Sequence, residues 1–282
     1  MKNITLSAQA KMINFILILG FGLLVYFLGG YWGVPSSGIK LLIRLFLSVF
    51  TLGICLQLRR ANPQSDNWKL FFAFFLAAFA FFFTSLLDSP LQTLIGADTN
   101  SLAGLAKLKL VDTLLILFPI FLVTRAARIP WHDLYLTGGQ VGLSLLIGGI
   151  GFAIFAVVFL LQVRELPDIF ARTTNWLPWV LLFVFANATM EEIHFRGLLL
   201  KPSATFLGKP IANLCITIFF TLVHAPVQYT SDIFIFLAEL FFLSLLWGWL
   251  AQKTESIWGS VLFHAGADLM IMAGIVQTYV GR

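Results

Sequence analysis

Charge is scarce in this sequence. Asp, Glu, Lys and Arg make up 11% of its 282 residues, against about 25% in ordinary globular domains. That poverty excludes a soluble surface, because hydrophobic residues reach 59% and a monomer of this length cannot hide so much apolar area from water. Cysteine is nearly absent too. Cys55 and Cys215 both lie in apolar stretches and read as small buried hydrophobes, which excludes a disulfide scaffold. No basic cluster is interleaved with aromatics, so the net charge of +5 does not indicate a nucleic-acid partner. Nor is there an internal repeat, or a polar stretch long enough to hold a core of its own.

What the sequence has in quantity is apolar runs, with 30 Phe and 8 Trp. A helix needs about 20 apolar residues to cross a bilayer. Runs of that kind predict spans at 12–33, 41–58, 68–87, 103–124, 140–162, 177–193, 211–229, 233–250 and 257–277. The fourth is the weakest, since Lys107, Lys109 and Asp112 interrupt it. The expected fold is an all-α polytopic transmembrane helix bundle of eight or nine spans. The first run is too long for a signal-peptide core and lacks a small-residue cleavage site, so it reads as a retained helix. The longest polar stretch, Asp88–Gly104, reads as a loop. Gly138 and Gly142 form a GxxxG that marks a candidate close helix contact.

With the N-terminus in the cytoplasm, inner segments carry eleven Lys and Arg and outer segments six. Arg44 is left near an outer helix end, from which it can snorkel. This asymmetry predicts a multi-pass protein of the cell membrane with a cytoplasmic N-terminus.

Ionisable side chains inside a bilayer cost about 2.5–3.5 kcal/mol each on insertion scales and persist mainly for function. Here they concentrate in the last third as Glu191, Glu192, His194, His224, Glu239, His264 and Asp268. The chain therefore divides into residues 1–176, helices of unassigned role, and 177–282, a helical core carrying the chemistry. In Glu191-Glu192-xxx-Arg196, the i,i+4 spacing lets Glu192 and Arg196 pair, and the rotation of about 100° leaves the Glu191 carboxylate free. In Phe220-xxx-His224, the ring lies one turn before the imidazole. In His264-xxx-Asp268, imidazole and carboxylate share a face. A glutamate and two histidines on three spans supply a base for water and donors for an oxyanion. They equally supply a zinc shell.

These three motifs, in this order and spacing, resemble those of the CAAX-protease and bacteriocin-processing (CPBP, Abi) family of intramembrane endopeptidases, over roughly residues 177–277. The resemblance implies hydrolysis of a peptide bond in a membrane-anchored substrate, of CAAX or leader-peptide type. It implies that Glu191 and His224 activate water, that His264 and Asp268 serve the oxyanion, and that Glu192, Arg196 and Phe220 shape the site. An ionised aspartate accepts hydrogen bonds without donating them, so Asp268 is expected to orient His264. The family is often labelled metalloprotease. Both options stay open: a Zn²⁺ on Glu191, His224 and His264, or no metal at all. The zincin HExxH is absent. Glu191 and His194 form one ExxH without the second that a di-iron site needs, so His194 is read as a helix-end residue at the membrane interface. Glu239 belongs to no motif, and either lines the same cavity or pairs with a neighbouring helix.

Two other function classes compete, a transporter or channel and a non-catalytic membrane partner protein. The lack of a repeat weighs against the first, and the presence of Glu191, His224 and His264 against the second. One geometric difficulty stands out. Glu191 near the inner end of its span suggests a cavity open to the cytoplasm. His224, counted from Pro210, lies roughly 20 Å into its own span, too deep to meet it.

Overall fold

Ser7 opens the first helix by accepting the Ala10 amide on its hydroxyl at 3.2 Å, and the same device recurs along the chain. Ser101 caps a later helix through Gly104 N at 2.9 Å, and Asp232 another through Phe234 N and Ile235 N, both at 3.1 Å. The computed structural model describes residues 7–31, 37–164, 169–226 and 232–280. Its α-helices are α1 (Ala8–Gly22), α2 (Ser37–Ala61), α3 (Asn67–Ile95), α4 (Leu102–Ala126), α5 (Val141–Val163), α6 (Ile169–Glu192), α7 (Lys201–Leu207), α8 (Lys209–Val223), α9 (Ile233–Thr254) and α10 (Trp258–Val280). Wider π-helical turns follow α1 at Leu23–Tyr31 and join α6 to α7 at Ile193–Leu200, and a 3₁₀ turn spans Trp131–Leu134. No strand occurs among the described residues, so the all-α polytopic expectation holds.

Among the described residues, six helical stretches are long and apolar enough to cross a membrane: Ala8–Gly30, Ser37–Ala61, Asn67–Ile95, Val141–Val163, Ile233–Thr254 and Trp258–Tyr279. Three expected spans are not among them: the fourth, which is α4, the sixth, in α6, and the seventh, in α8, a shorter apolar helix. The ends of the first and seventh expected spans, and Arg282, lie outside the described residues.

Contacts at the helix ends sort the loops into two sets. Lys69 bonds Asp133 at 3.0 Å, Lys201 bonds the His132 carbonyl at 2.9 Å, and Gln140 N bonds the Thr254 carbonyl at 2.7 Å. The loops around residues 62–68, 127–140 and 254–257 therefore share one end of the bundle, together with Arg59, Arg60, Arg125, Arg128 and Lys201. The opposite end joins the 96–101 loop to the close of α10 through Tyr279 Oη and the Thr99 carbonyl, 2.5 Å apart.

Several expectations give way. The polar stretch 88–104 is mostly helix, because α3 runs on through Pro90 to Ile95 with Gln92 donating to Asp88 at 2.6 Å. Only residues 96–101 are loop, after Gly96 turns left-handed at φ 62°. Arg44 does not snorkel. It is buried, and its guanidinium donates to the carbonyls of Gly29 at 2.5 Å, Gly30 at 3.1 Å and Phe81 at 3.0 Å. Gly29 and Gly30 close a helical stretch, whose last carbonyls have no partner within it.

Gly138 and Gly142 have open space where a side chain would stand. The close contact lies further along, where α5 meets α10. A Cβ at Gly148 or Gly259 would overlap the facing backbone, and one at Gly266 would stand 2.6 Å from Phe152 Cα. Sequence spacing found a GxxxG, but pairing requires the facing helix to be small at the same height.

The largest revision concerns the sixth span, read as 177–193. Helix continues without a break from Ile169 through the π-helical turns to Leu207, and reverses at Gly208, whose φ is +78°. Glu191 is thus well inside a long helix rather than near its end. Counting 16 residues back from Leu207 gives about 24 Å, and 15 forward from Lys209 to His224 gives about 22 Å. The two residues rise to the same height on the two arms of one hairpin, which removes the depth mismatch.

Candidate active site

Three helices deliver the motif residues to one place, and a fourth adds an aromatic wall. Glu191 and Glu192 close α6, His224 caps the end of α8, Trp247 sits on α9, and His264 and Asp268 face inward from α10. Glu191, Glu192, Arg196, Phe220, His264 and Asp268 are all buried. π-Helical turns inside longer helices are frequent at functional sites, since widening re-aims side chains. The segment Ile193–Leu200 begins directly after the glutamate pair.

Glu191 Oε2 lies 3.7 Å from His224 Nε2 and 3.7 Å from His264 Nε2. Both separations are too long for a direct hydrogen bond, and one water molecule reaches across such a gap. His224 Nδ1 lies 2.8 Å from the Phe220 carbonyl. A carbonyl only accepts, so Nδ1 carries the proton and Nε2 faces Glu191. The Phe220 ring stands 4.7 Å from the His224 ring, as the one-turn spacing implies.

His264 is held differently. Its Nδ1 lies 2.8 Å from Glu192 Oε1, its Nε2 lies 3.5 Å from Asp268 Oδ1, and its ring stacks on Trp247 at 3.9 Å and 8°. Glu192, one residue from the cavity-facing glutamate, is therefore the closer partner. Glu192 Oε1 also accepts from Arg196 Nη1 at 2.9 Å, the expected i,i+4 pair. Arg196 Nη2 donates to Ser244 Oγ at 2.6 Å, and its guanidinium lies 4.3 Å over the Phe220 ring. Asp268 Oδ2 accepts from Asn187 Nδ2 at 2.9 Å.

Glu191, His224, His264 and Asp268 line one end of a cavity of about 440 Å³, shared with Lys109, Asn187 and Glu239 and walled by Phe155, Phe183, Phe236, Leu240 and Ile271. Glu239 thus lines the same cavity. Lys109 and Gly274 sit in the halves of α4 and α10 nearest the 96–101 loop. The cavity accordingly runs toward the end opposite the basic loops, contrary to the expected opening near the inner end. Its direction follows from α6 continuing past Glu191, which packs the other side.

His194 is not at an interface. It is fully buried, with Tyr26, Phe81 and Phe195 rings at 4.8, 5.0 and 5.6 Å, and its carbonyl accepts from Tyr26 Oη at 2.8 Å. Sequence reasoning missed Asn187, Trp247, Ser244 and Lys109. Asn187 left a signal, an amide one turn before Glu191, and Lys109 another, a charge interrupting the fourth apolar run.

A zinc shell needs three donors converging at about 2 Å from a common point. Among the described residues no group of three His, Cys, Asp or Glu side chains does so. His264 Nδ1 on Glu192 and His224 Nδ1 on a carbonyl fix both rings with Nε2 toward Glu191. The metalloprotease label finds no support among the described residues.

Residues 173–270 match the family model described as type II CAAX prenyl endopeptidase Rce1-like. The match covers all three motifs and agrees with the family that they resemble. No curated protein and no solved structure matches the chain.

Proposed function

We propose that the chain is an intramembrane endopeptidase that hydrolyses a peptide bond near the anchored end of a membrane-bound peptide, of CAAX or leader-peptide type. The observation carrying this reading is the 3.7 Å spacing of Glu191 Oε2 from His224 Nε2 and His264 Nε2 at the polar end of a largely apolar cavity.

In this reading the reacting water donates one O–H to Glu191 and the other to His224 Nε2, which aims its lone pair at the scissile carbonyl. Its oxygen bonds to the carbonyl carbon, the carbonyl π pair moves to oxygen, and the proton passes to Glu191. His264, doubly protonated and held by Glu192 at Nδ1, donates from Nε2 to the oxyanion. Asp268, braced by Asn187, limits rotation of that ring. Collapse re-forms the carbonyl and breaks the C–N bond, and Glu191 returns the proton to the leaving amine.

Arg196 positions Glu192, and Phe220 shields the imidazole of His224. Helices from residues 1–176 complete the cavity wall through Lys109 and Phe155. The charge rule sets the basic end of the bundle, and with it the N-terminus, on the cytoplasmic side.

The test is cleavage of lipid-anchored peptides by purified protein in detergent. Glu191→Gln and His224→Ala should each lower kcat by about 10²–10⁴-fold, the range for general acid–base catalysis. Equal cleavage by wild type and both variants would overturn the reading.

A further inference from the structure

The cavity is acidic at its reactive end, with Glu191 and Asp268, and carries a further carboxylate at Glu239. Among the described residues its one lysine or arginine is Lys109, on α4 and outside the segment matched to the family. We propose that Lys109 holds the C-terminal carboxylate of the substrate, so that the cavity measures the distance from the chain end to the bond that is cut. This rests on the endopeptidase reading and takes its CAAX branch, in which the released fragment carries a free carboxylate.

Three features of the site support it. Lys109 Nζ lies 5.7 Å from the Phe183 ring centroid, and Phe183 precedes Glu191 by eight residues, or about 12 Å along the helix axis. A fully extended peptide covers at most about 3.3–3.6 Å per residue, so a carboxylate on Lys109 leaves about three residues before the bond facing Glu191. Thr113, one turn after Lys109, fixes this register by donating to the Ala186 carbonyl at 2.9 Å. Finally, the partner of Lys109 is a loose one. Asp112 Oδ2 is 3.9 Å away and its side chain is 37% exposed, a surface-type pair worth little and readily exchanged for a ligand carboxylate. Elsewhere along the cavity the carboxylates repel the chain end, so only one direction of entry is favourable.

The experiment uses an S-farnesylated fluorescent hexapeptide, with its cysteine fourth from the end, as the free acid and as the C-terminal amide. Binding is read by anisotropy on full-length Glu191→Gln protein in detergent, and cleavage on the protein with Glu191 intact. The acid should bind at least tenfold more tightly than the amide. Adding Lys109→Met should abolish that ratio, Lys109→Arg should keep it, and Lys109→Glu should invert it. Because the ratio with Lys109 intact needs no substitution at that position, poor folding of a variant does not rescue the idea. Equal binding of acid and amide, no binding of either, or a ratio that survives Lys109→Met overturns the anchor. Acid preference without Glu191-dependent cleavage overturns the endopeptidase reading and leaves the anchor standing. Glu191-dependent cleavage of both forms at one rate does the reverse.

Discussion

Glu192 fastens His264 to α6: its Oε1 accepts from His264 Nδ1 at 2.8 Å while accepting from Arg196 Nη1 at 2.9 Å. All three side chains are buried. One carboxylate oxygen therefore bridges α6 and α10 and aims the other face of the imidazole at Glu191. Two adjacent glutamates divide the work, one facing the cavity and one facing the protein.

Removing the bridge strands a buried guanidinium. Glu192→Ala should cost about 3–5 kcal/mol, the range for breaking a buried ion pair from one side. Thermal unfolding in detergent reads this directly. Glu192→Gln keeps a carbonyl acceptor for Arg196 and His264, so it should stay folded while kcat falls. A Glu192→Ala protein as stable as wild type would show that the bridge carries no stability.

Metal removal should leave the rate unchanged, since no three His, Cys, Asp or Glu side chains among the described residues form a group that could hold an ion. The measurement is cleavage before and after prolonged dialysis against a strong chelator. Loss of activity with rescue by Zn²⁺ would move Glu191, His224 and His264 into a metal shell.

Asn187→Leu should free Asp268 from its 2.9 Å bond and let the carboxylate swing from His264. The expected result is a fall in kcat of about tenfold, corresponding to a hydrogen bond of about 1.5 kcal/mol, with little change in melting temperature. A fall confined to KM would indicate that Asn187 touches the substrate instead.

Close contact of α5 with α10 places Gly148 and Gly259 backbone to backbone. Gly259→Leu should separate the helices at an overpacking cost of about 1–3 kcal/mol. Gly142→Leu, where open space stands, should be neutral. Thermal melts of the two variants side by side check this.

Sidedness can be read with thiol reagents. With the basic end cytoplasmic, a cysteine at Asn100 should label from outside intact cells and one at Lys253 only after permeabilisation. Both positions are exposed, and Cys55 and Cys215 are buried. The reversed pattern would put the cavity, which points toward the Asn100 end, on the cytoplasmic side.

Local chemistry determined what could be read from the sequence. Apolar runs had to become helices in lipid, because no other element except a closed barrel satisfies its own backbone there. Costly ionisable groups on three spans had to mark a polar cavity, and the i,i+4 pair of Glu192 and Arg196 followed from helix geometry alone. The tertiary structure decided everything that depends on which helix faces which. Helix continuing from Ile169 to Leu207 set the height of Glu191, where an apolar window had ended at residue 193. Trp247, Ser244 and Lys109 joined the site from helices without a motif, and His194 turned inward to an aromatic cage. Hydropathy along a chain records how apolar a residue's surroundings are, not whether lipid or protein supplies them. Only the packing of α4, α5, α6, α8, α9 and α10 around one cavity distinguishes the two.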